Sequence, residues 1–461
     1  MRDHDQFLNE LSKKYSGYSP KSESLNNRAK ESMVDGGSHS LRLMKPFPPR
    51  IKTSRGAYIY DEDDHEIIDF WQGHFGNILG HNPLIITQAL QNFFADGNGL
   101  QCGFADEMQI EAAEVLCRQT GSERVRFTTS GSLATMYAIM LARAYTKREL
   151  VMKVAGGWHG AHPWGLKGVK FDSAAGYNHL EGEGTPPYIG DQVIQTCFND
   201  CEMLNAHFRE YGDRLACFIT EPVVGNGGFI PGTREYLQTA RKLCDQYGVV
   251  LVFDEVIAGF RFRAGSVSKL YGVQPDLSTF GKIIGGGMPV AAVGGKKEIL
   301  EMAGSSTGLR VRFSGGTYAG HPACMLAAKT MMTYLVENED LVYTRIAALG
   351  KIARQNFIEA FKSEGIYARS TGYNTDLPDS SLFILHFPYN PETRLNKPED
   401  ANDPSLCDLT LRKEVVKLGL LLHNVNMTEG KGAVSFAHTE ADLEKVTDAC
   451  KELARTINRS L

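Results

Sequence analysis

The chain has 461 residues, with 49 basic and 54 acidic side chains and a formal net charge of −5. No long block of one charge sign indicates a nucleic-acid or membrane-surface partner, and no apolar run approaches the length of a membrane span. Nine cysteines without a metal-ligand pattern are typical of reduced thiols, and the charged start is unlike a signal peptide. We expect a cytoplasmic protein without a metal, nucleic-acid or membrane partner, long enough for two domains.

The N-terminal part predicts an arm, a loop and a hairpin. Residues 1–32 are polar with a short amphipathic stretch, which fits a helical arm or, equally, a partly ordered tail. A loop rich in glycine and proline follows and contains His39 and Arg42. Residues 57–70 alternate apolar and polar around a DEDDH turn, which predicts a β-hairpin.

A strand, a turn and a helix follow a stretch of helical spacing. Residues 124–128 form the predicted strand, and Ser130, Gly131 and Ser132 open the helix. The free backbone N–H groups and the positive dipole end of such a helix make a ready site for an anion. A Ser-Gly-Ser start is also a common helix cap, so this motif alone leaves both interpretations open.

The middle of the chain alternates between buried strands and helices. Residues 150–154 and 215–220 are short apolar runs; the second ends at Glu221 and leads into a turn containing Asn226. Residues 232–247 have the spacing of an amphipathic helix. This alternation predicts an α/β fold, with a parallel sheet and helices on both of its faces.

The most informative stretch begins with the apolar run 249–253, which predicts a strand buried on both faces. Asp254 follows at once, where open α/β sheets bind ligands, and Lys282 lies further on between glycines. The magnesium-binding strand of P-loop ATPases is an alternative, but it requires a G-x-x-x-x-G-K-[ST] loop that the sequence lacks. A carboxylate at a strand end with a glycine-flanked lysine fits pyridoxal phosphate, whose ring nitrogen and aldehyde carbon they would engage.

Three segments carry a family resemblance: VFDEVIAGFR, GVQPDLSTFGKIIGGGMPVAAVGG and EPVVGNGG. They resemble the class III, fold type I aminotransferases that use pyridoxal 5′-phosphate, and among these most of all the glutamate-1-semialdehyde aminomutases. The resemblance implies a large domain with a mostly parallel sheet flanked by helices, plus a smaller α+β domain. We expect residues 1–75 to form an arm and hairpin that join the small domain, 76–330 the cofactor domain, and 331–461 the small C-terminal domain.

The resemblance also assigns roles to individual residues. Lys282 and Asp254 would be catalytic. Trp158 would stack on the cofactor ring with Val256 on the opposite face, and Thr317 would bind the phosphate in the neighbouring subunit of a homodimer with shared active sites. The complete cofactor-binding set would be Ser130, Gly131, Ser132, Trp158, His159, Glu221, Asn226, Asp254, Val256, Lys282 and Thr317.

The expected reaction acts on the primary amine of a small anionic compound, with Lys282 as the base that removes a proton beside the nitrogen. We expect amino transfer of the aminotransferase or aminomutase kind. The alternative is an ammonia-lyase that eliminates hydroxyl or phosphate from an aminoethylphosphonate or phosphoethanolamine. Four residues are candidates for binding the acid group of the substrate: His39, Arg42, Arg310 and Arg312. Arg310 and Arg312 are included because paired arginines suit a doubly charged acid, and a plain surface role is the alternative for these residues.

Overall fold

The computed structural model describes residues 4–305 and 308–460, so the first three residues of the predicted arm lie outside the described part. The strands are β1 Ile51–Arg55, β2 Tyr58–Asp61, β3 Glu66–Asp69, β4 Arg124–Thr128, β5 Leu150–Val154, β6 Val193–Thr196, β7 Leu215–Thr220, β8 Val223–Val224, β9 Ile230–Pro231, β10 Val250–Asp254, β11 Leu277–Phe280, β12 Ala291–Gly295, β13 Arg369–Thr371, β14 Leu382–His386, β15 Val425–Asn426 and β16 Lys431–Ala433.

The helices alternate with these strands along the chain. They are α1 Asp5–Tyr18, α2 Pro20–Lys30, α3 Gln72–Phe75, α4 Leu84–Ala95, α5 Glu107–Thr120, α6 Gly131–Thr146, α7 Pro187–Asp191, α8 Cys201–Tyr211, α9 Arg234–Tyr247, α10 Ser268–Tyr271, α11 Lys297–Leu300, α12 Pro322–Glu337, α13 Glu339–Lys362, α14 Pro398–Asn402, α15 Val416–Leu421 and α16 Glu440–Ser460.

The large sheet has seven strands in the order β4-β12-β11-β10-β7-β5-β6. Only β12 runs antiparallel to its neighbours; the other pairings within this sheet are parallel. Strands β5, β7 and β10 are buried along their whole length, as expected for strands covered on both faces. The predicted mostly parallel α/β sheet is therefore confirmed.

The residues of β10 show how the two faces are covered. Leu251 and Phe253 pack in one core with helices α8 and α9. Val250 and Val252 pack in another core with α6 on the opposite face. Because side chains alternate along a strand, a run of five apolar residues supplies both cores at once and leaves Asp254 at the end of the strand.

A second, smaller unit combines the antiparallel strands β13, β14 and β16 with helices α13 and α16. The N-terminal arm is helical and belongs to this unit, because Phe7 and Leu11 share its core. Strand β3 pairs in parallel with β15, so the predicted hairpin is also attached there. The division at residues 75 and 330 remains a prediction, and its second boundary falls within α12, Pro322–Glu337.

Within 4–305 and 308–460, no helix is long and apolar enough to cross a membrane. Every one of the nine cysteines is a free thiol. The same ranges contain no group of three or more histidine, cysteine, aspartate or glutamate side chains placed to hold a metal ion.

Candidate active site

A cavity of about 580 Å³ lies at the carboxyl ends of the parallel strands. Part of its wall follows strands of the large sheet, at the edge where open α/β sheets bind ligands, and the remainder comes from the N-terminal segment and the small unit. The cavity is lined by ten of the eleven predicted cofactor residues: Ser130, Gly131, Ser132, Trp158, His159, Glu221, Asn226, Asp254, Val256 and Lys282. Thr317 is the exception.

Lys282 lies just beyond the end of β11, where the chain turns sharply. Its φ of 49° is in the left-handed region, which is uncommon outside glycine and is typical of strained functional sites. A short 3₁₀ turn, Lys282–Gly285, begins at this residue. Burial lowers the pKa of the Lys282 amine, although the charges of Asp254 and Glu221 oppose the shift. A buried amine with a lowered pKa is available as a nucleophile and as a base.

Asp254 is held by three donors at the end of β10. The imidazole of His159 bonds to its Oδ2 through Nδ1 at 2.8 Å. Thr279 Oγ1 and the Val256 N–H donate to its Oδ1 at 3.0 and 3.1 Å. Burial lowers the pKa of His159, so the imidazole is neutral and Nδ1 carries the donated proton. The carboxylate therefore has a fixed orientation within the cavity wall.

Glu221 supports the loops around the cavity. Its carboxylate accepts the N–H groups of Trp158 and Gly225, both at 3.0 Å. Burial and the nearby charge of Asp254 raise the pKa of Glu221 to about 8. Asn226, at the adjoining turn, donates from Nδ2 to the Val169 carbonyl at 3.1 Å. Glu221 thus joins the loop after β5 to the turn after β7.

The N-terminus of α6 forms the anion-binding part of the cavity. Ser130 Oγ accepts the Leu133 N–H at 3.3 Å, so it caps the helix, while Gly131 and Ser132 lack intrahelical acceptors for their N–H groups. Glycine is required on both sides of this segment, because a side chain would collide with its neighbours. A Cβ on Gly131 would lie 3.0 Å from Val256 Cγ1, and one on Gly160 would lie 2.5 Å from Ser132 Cα. The capping and anion-binding interpretations are therefore compatible.

His74 lines the cavity but was not predicted from the sequence. It lies in α3, where φ is positive at all four residues Gln72–Phe75, and the N–H of Gln72 donates to Asp69 at 2.8 Å. Arg42 Nε donates to His74 Nε2 at 3.2 Å. Burial, with the nearby charges, lowers the pKa of His74 to about 3, so the ring is a neutral acceptor. The only sign of this turn in the sequence is Gly73, which lies between larger residues shortly after the strand β3.

The predicted substrate-binding residues divide into two groups. His39 lines the cavity, and Arg42 contacts the wall through His74 without lining it. Arg310 and Arg312 are exposed, because Val311 and Phe313 between and after them point into the core. Thr317 is also exposed and does not line the cavity of its own chain. The substrate and cofactor roles of these residues remain predictions.

The comparisons with known proteins agree with this geometry. The family model described as aminotransferase class-III matches residues 42–373. The chain belongs to the class III aminotransferases. The family depends on pyridoxal phosphate and acts on small amines, so the predicted enzyme class, cofactor and amino-transfer or aminomutase chemistry are confirmed, and the ammonia-lyase alternative is not favoured.

Individual relatives cover almost the whole chain. A glutamate-1-semialdehyde 2,1-aminomutase from Methanocella arvoryzae is 33% identical over 433 residues, covering 93% of this chain and 97% of that protein. An ω-transaminase from Sphaerobacter thermophilus has 30% identity and a TM-score of 0.85, over 94% of this chain and 97% of its own. A β-phenylalanine aminotransferase from Variovorax paradoxus has 25% identity and a TM-score of 0.84, over 98% and 97%.

The side chains present fit the cofactor. The N–H groups of Gly131 and Ser132, which have no acceptor within the helix, suit its phosphate, and the positive end of the α6 dipole also favours it. Asp254 offers a fixed carboxylate for a protonated pyridine nitrogen, and Lys282 offers a buried amine for the covalent bond. When bound, pyridoxal phosphate supplies an electron sink that makes the carbon next to the substrate nitrogen acidic.

Proposed function

We propose that the enzyme transfers the amino group of a small amine bearing an acid group to a carbonyl acceptor. The observation that supports this proposal is the shared cavity of the Lys282 amine, the Asp254 carboxylate and the N-terminus of α6. Each feature alone is common, whereas the three together provide covalent attachment, charge stabilisation and phosphate binding.

In this proposal the chain's residues act in a defined order. The Lys282 amine would hold the cofactor covalently and would be free once a substrate amine had taken its place. The free amine of Lys282 then takes the proton from the carbon beside the substrate nitrogen and returns it to a neighbouring atom. Because burial lowers the pKa of this amine, it can accept and release the proton closer to neutral pH than an exposed lysine can. The Asp254 carboxylate would remain paired with the protonated ring nitrogen of the cofactor, and the hydrogen bond from His159 keeps this carboxylate from rotating.

The names of the sequence relatives favour a second candidate, an aminomutase. Relatives with this name share 30–36% identity with the chain. Both reactions use the same proton transfers by Lys282. They differ in the acceptor, which is another molecule in amino transfer and the same carbon skeleton in the mutase. In the mutase the first product stays in the cavity and accepts the amino group again, whereas in amino transfer it leaves before another molecule accepts the amino group.

Acceptor dependence tests the proposal. Enzyme loaded with cofactor would be incubated with ω-amino acids, aminophosphonates and an amino aldehyde that carries its own carbonyl group, with and without a 2-oxo acid. An aminotransferase consumes one amine per active site and stops until the acceptor is added. Formation of an isomer without an acceptor would show mutase chemistry, and sustained release of ammonia would overturn both candidates.

The homodimer with shared active sites is part of this proposal. Cys102 Sγ donates to the carbonyl of Thr317 at 3.2 Å, which joins two exposed segments of the chain. These segments carry the large apolar side chains Leu100, Phe104 and Tyr318, which are 76%, 74% and 63% exposed. Neighbouring exposed apolar side chains are typical of a protein interface. We place Thr317 of the partner subunit at the phosphate.

A further inference from the structure

The charged residues that line the cavity form two groups. The first, Lys282, Asp254 and Glu221, lies at the edge of the large sheet and is accounted for by the chemistry above. The second consists of Lys170, Lys413, Lys431 and Glu429. Three lysines against one glutamate leave an excess of two positive charges in this wall, although the whole chain carries a net charge of −5.

Lys431 connects this second group to the cofactor side of the cavity. Its Nζ pairs with Glu429 Oε2 at 2.9 Å and donates to the Asn226 carbonyl at 3.3 Å. Glu429 has a φ of 54° and Gly430 a φ of 70°, so these two residues form a tight turn. The charged side chains of Glu429 and Lys431 both line the cavity at this turn. Positive φ at a residue other than glycine is typical of functional sites.

Lys413 belongs to a π-helical turn, Leu411–Val415, that runs directly into α15. Such turns are rare and frequently occur at functional sites. The turn is anchored by Arg412, which is buried and donates to the Ala401 carbonyl at 2.7 Å and to Asn402 Oδ1 at 2.8 Å. Within residues 4–305 and 308–460, the Lys413 amine forms no hydrogen bond or ion pair. A partly buried cation without a partner therefore faces the cavity.

We propose that Lys170, Lys413 and Lys431 form a subsite for the anionic end of the substrate, a carboxylate or a phosphonate. The inference rests on the proposed function, which places the reacting amine of the same molecule at Lys282. It replaces Arg310 and Arg312 as the expected acid-binding pair, since those side chains are exposed outside the cavity. The apolar side chains of Val169 and Leu409, and that of Phe171, also line the cavity and can contact the carbon chain between the two ends.

The charge state of Lys413 makes the subsite sensitive to pH. Burial lowers the pKa of its amine to about 8, with contributions from Arg412, Lys431 and Lys170, while Glu429 opposes the shift. A bound anion stabilises the protonated form. Anion affinity should therefore fall as the pH rises through about 8, well below the usual range for lysine.

The experiment measures anion binding separately from catalysis. Butyrate and propylphosphonate carry the proposed group without an amine, and each would be titrated calorimetrically into the cofactor-loaded enzyme. Lys413→Met removes the charge and retains most of the stem, and Lys413→Arg restores a charge. Lys170→Met changes an exposed residue and serves as a second variant that should leave folding intact. Lys417→Met is the matched control, because this lysine lies one turn further along and is not among the cavity-lining residues.

We expect Lys413→Met to weaken binding by about ten- to hundredfold, Lys413→Arg to recover most of it, and Lys417→Met to change little. The probe that loses more affinity identifies carboxylate or phosphonate as the preferred anion. Failure of both probes to bind the wild type, unchanged binding in Lys413→Met and Lys170→Met, or an equal loss in Lys417→Met would overturn the subsite.

The same variants separate this inference from the proposed function. The ratio of kcat/KM for 4-aminobutyrate to that for butylamine would be measured with a 2-oxo acid present, and it should fall in Lys413→Met. Loss of anion binding in that variant, in an enzyme without amino transfer, would support the subsite and refute the proposed function. Amino transfer with an unchanged ratio would refute the subsite alone.

Discussion

Replacing Asp254 by asparagine isolates the contribution of one negative charge. The amide has nearly the same shape, and its oxygen can still accept the hydrogen bonds from Thr279 and Val256, while its Nδ2 faces His159, which accepts from it in the other neutral tautomer. What the substitution removes is the charge that the bound cofactor's pyridine nitrogen requires to remain protonated. The fold and the cavity should therefore remain, while proton removal from the substrate becomes slower.

The expected magnitude follows from the burial of the carboxylate, which is 4% exposed. Removing one partner of a buried ion pair costs about 3–5 kcal/mol. At about 1.4 kcal/mol per factor of ten, the rate of the first half-reaction should fall by roughly two to four orders of magnitude.

The assay is a single-turnover measurement of cofactor absorbance after mixing the loaded enzyme with an amine. Glu255→Gln is the matched control, because Glu255 is the next residue, is equally buried and contacts Ser266 and Val267 instead of the cavity. We expect this control to retain its rate. A loss below about tenfold in Asp254→Asn, or an equal loss in the control, would refute the assignment of Asp254 to the ring nitrogen.

Four further predictions follow from the same geometry. Borohydride should fix the cofactor on the peptide containing Lys282, and recovery on another lysine would refute its role. Inactive Lys282→Ala and Thr317→Ala chains should regain activity when mixed, because one site of each hybrid dimer has both native residues; activity no higher than that of either parent would contradict shared sites. Gly131→Ala should weaken cofactor retention about tenfold, since its Cβ would lie 3.0 Å from Val256 Cγ1; equilibrium dialysis checks this loss. Burial lowers the pKa of His438 to about 4, so between pH 4 and about 6.5 the unfolded chain binds more protons at this residue than the folded chain does. The Tm should therefore decrease as the pH is lowered through this range, and it should decrease less in His438→Gln.

The sequence was sufficient to predict which residues meet at the sheet edge of the cavity, because this arrangement follows from local rules. Short apolar runs predict buried parallel strands, and the residues directly after them converge at one sheet edge. Asp254, Asn226 and Lys282 could therefore be expected together, although they lie on three different strand ends. The family resemblance added roles for particular atoms, which apolar spacing alone does not provide.

The substrate half could not be predicted in the same way. Lys170, Lys413 and Lys431 come together only through packing of the small unit against the large one, and their spacing in the chain carries no periodic pattern. His74 depends on a left-handed turn, which apolar spacing does not reveal. The pairing of Arg310 with Arg312 in the sequence suggests an acid-binding site, whereas the core contacts of Val311 leave both arginines exposed.

The pairing of β3 with β15 shows how the substrate half is coupled to the fold. Both strands end beside the cavity: β3 leads into the turn with His74, and β15 into the turn with Glu429 and Lys431. Asn426 Nδ2 donates to Asp69 Oδ1 at 2.7 Å, which ties the two strand ends together. A shift of this pair would move both walls at once. Helix α3, which follows β3, also contacts the turn that begins at Lys282, so a change in the small unit can reach the proton-transfer geometry as well.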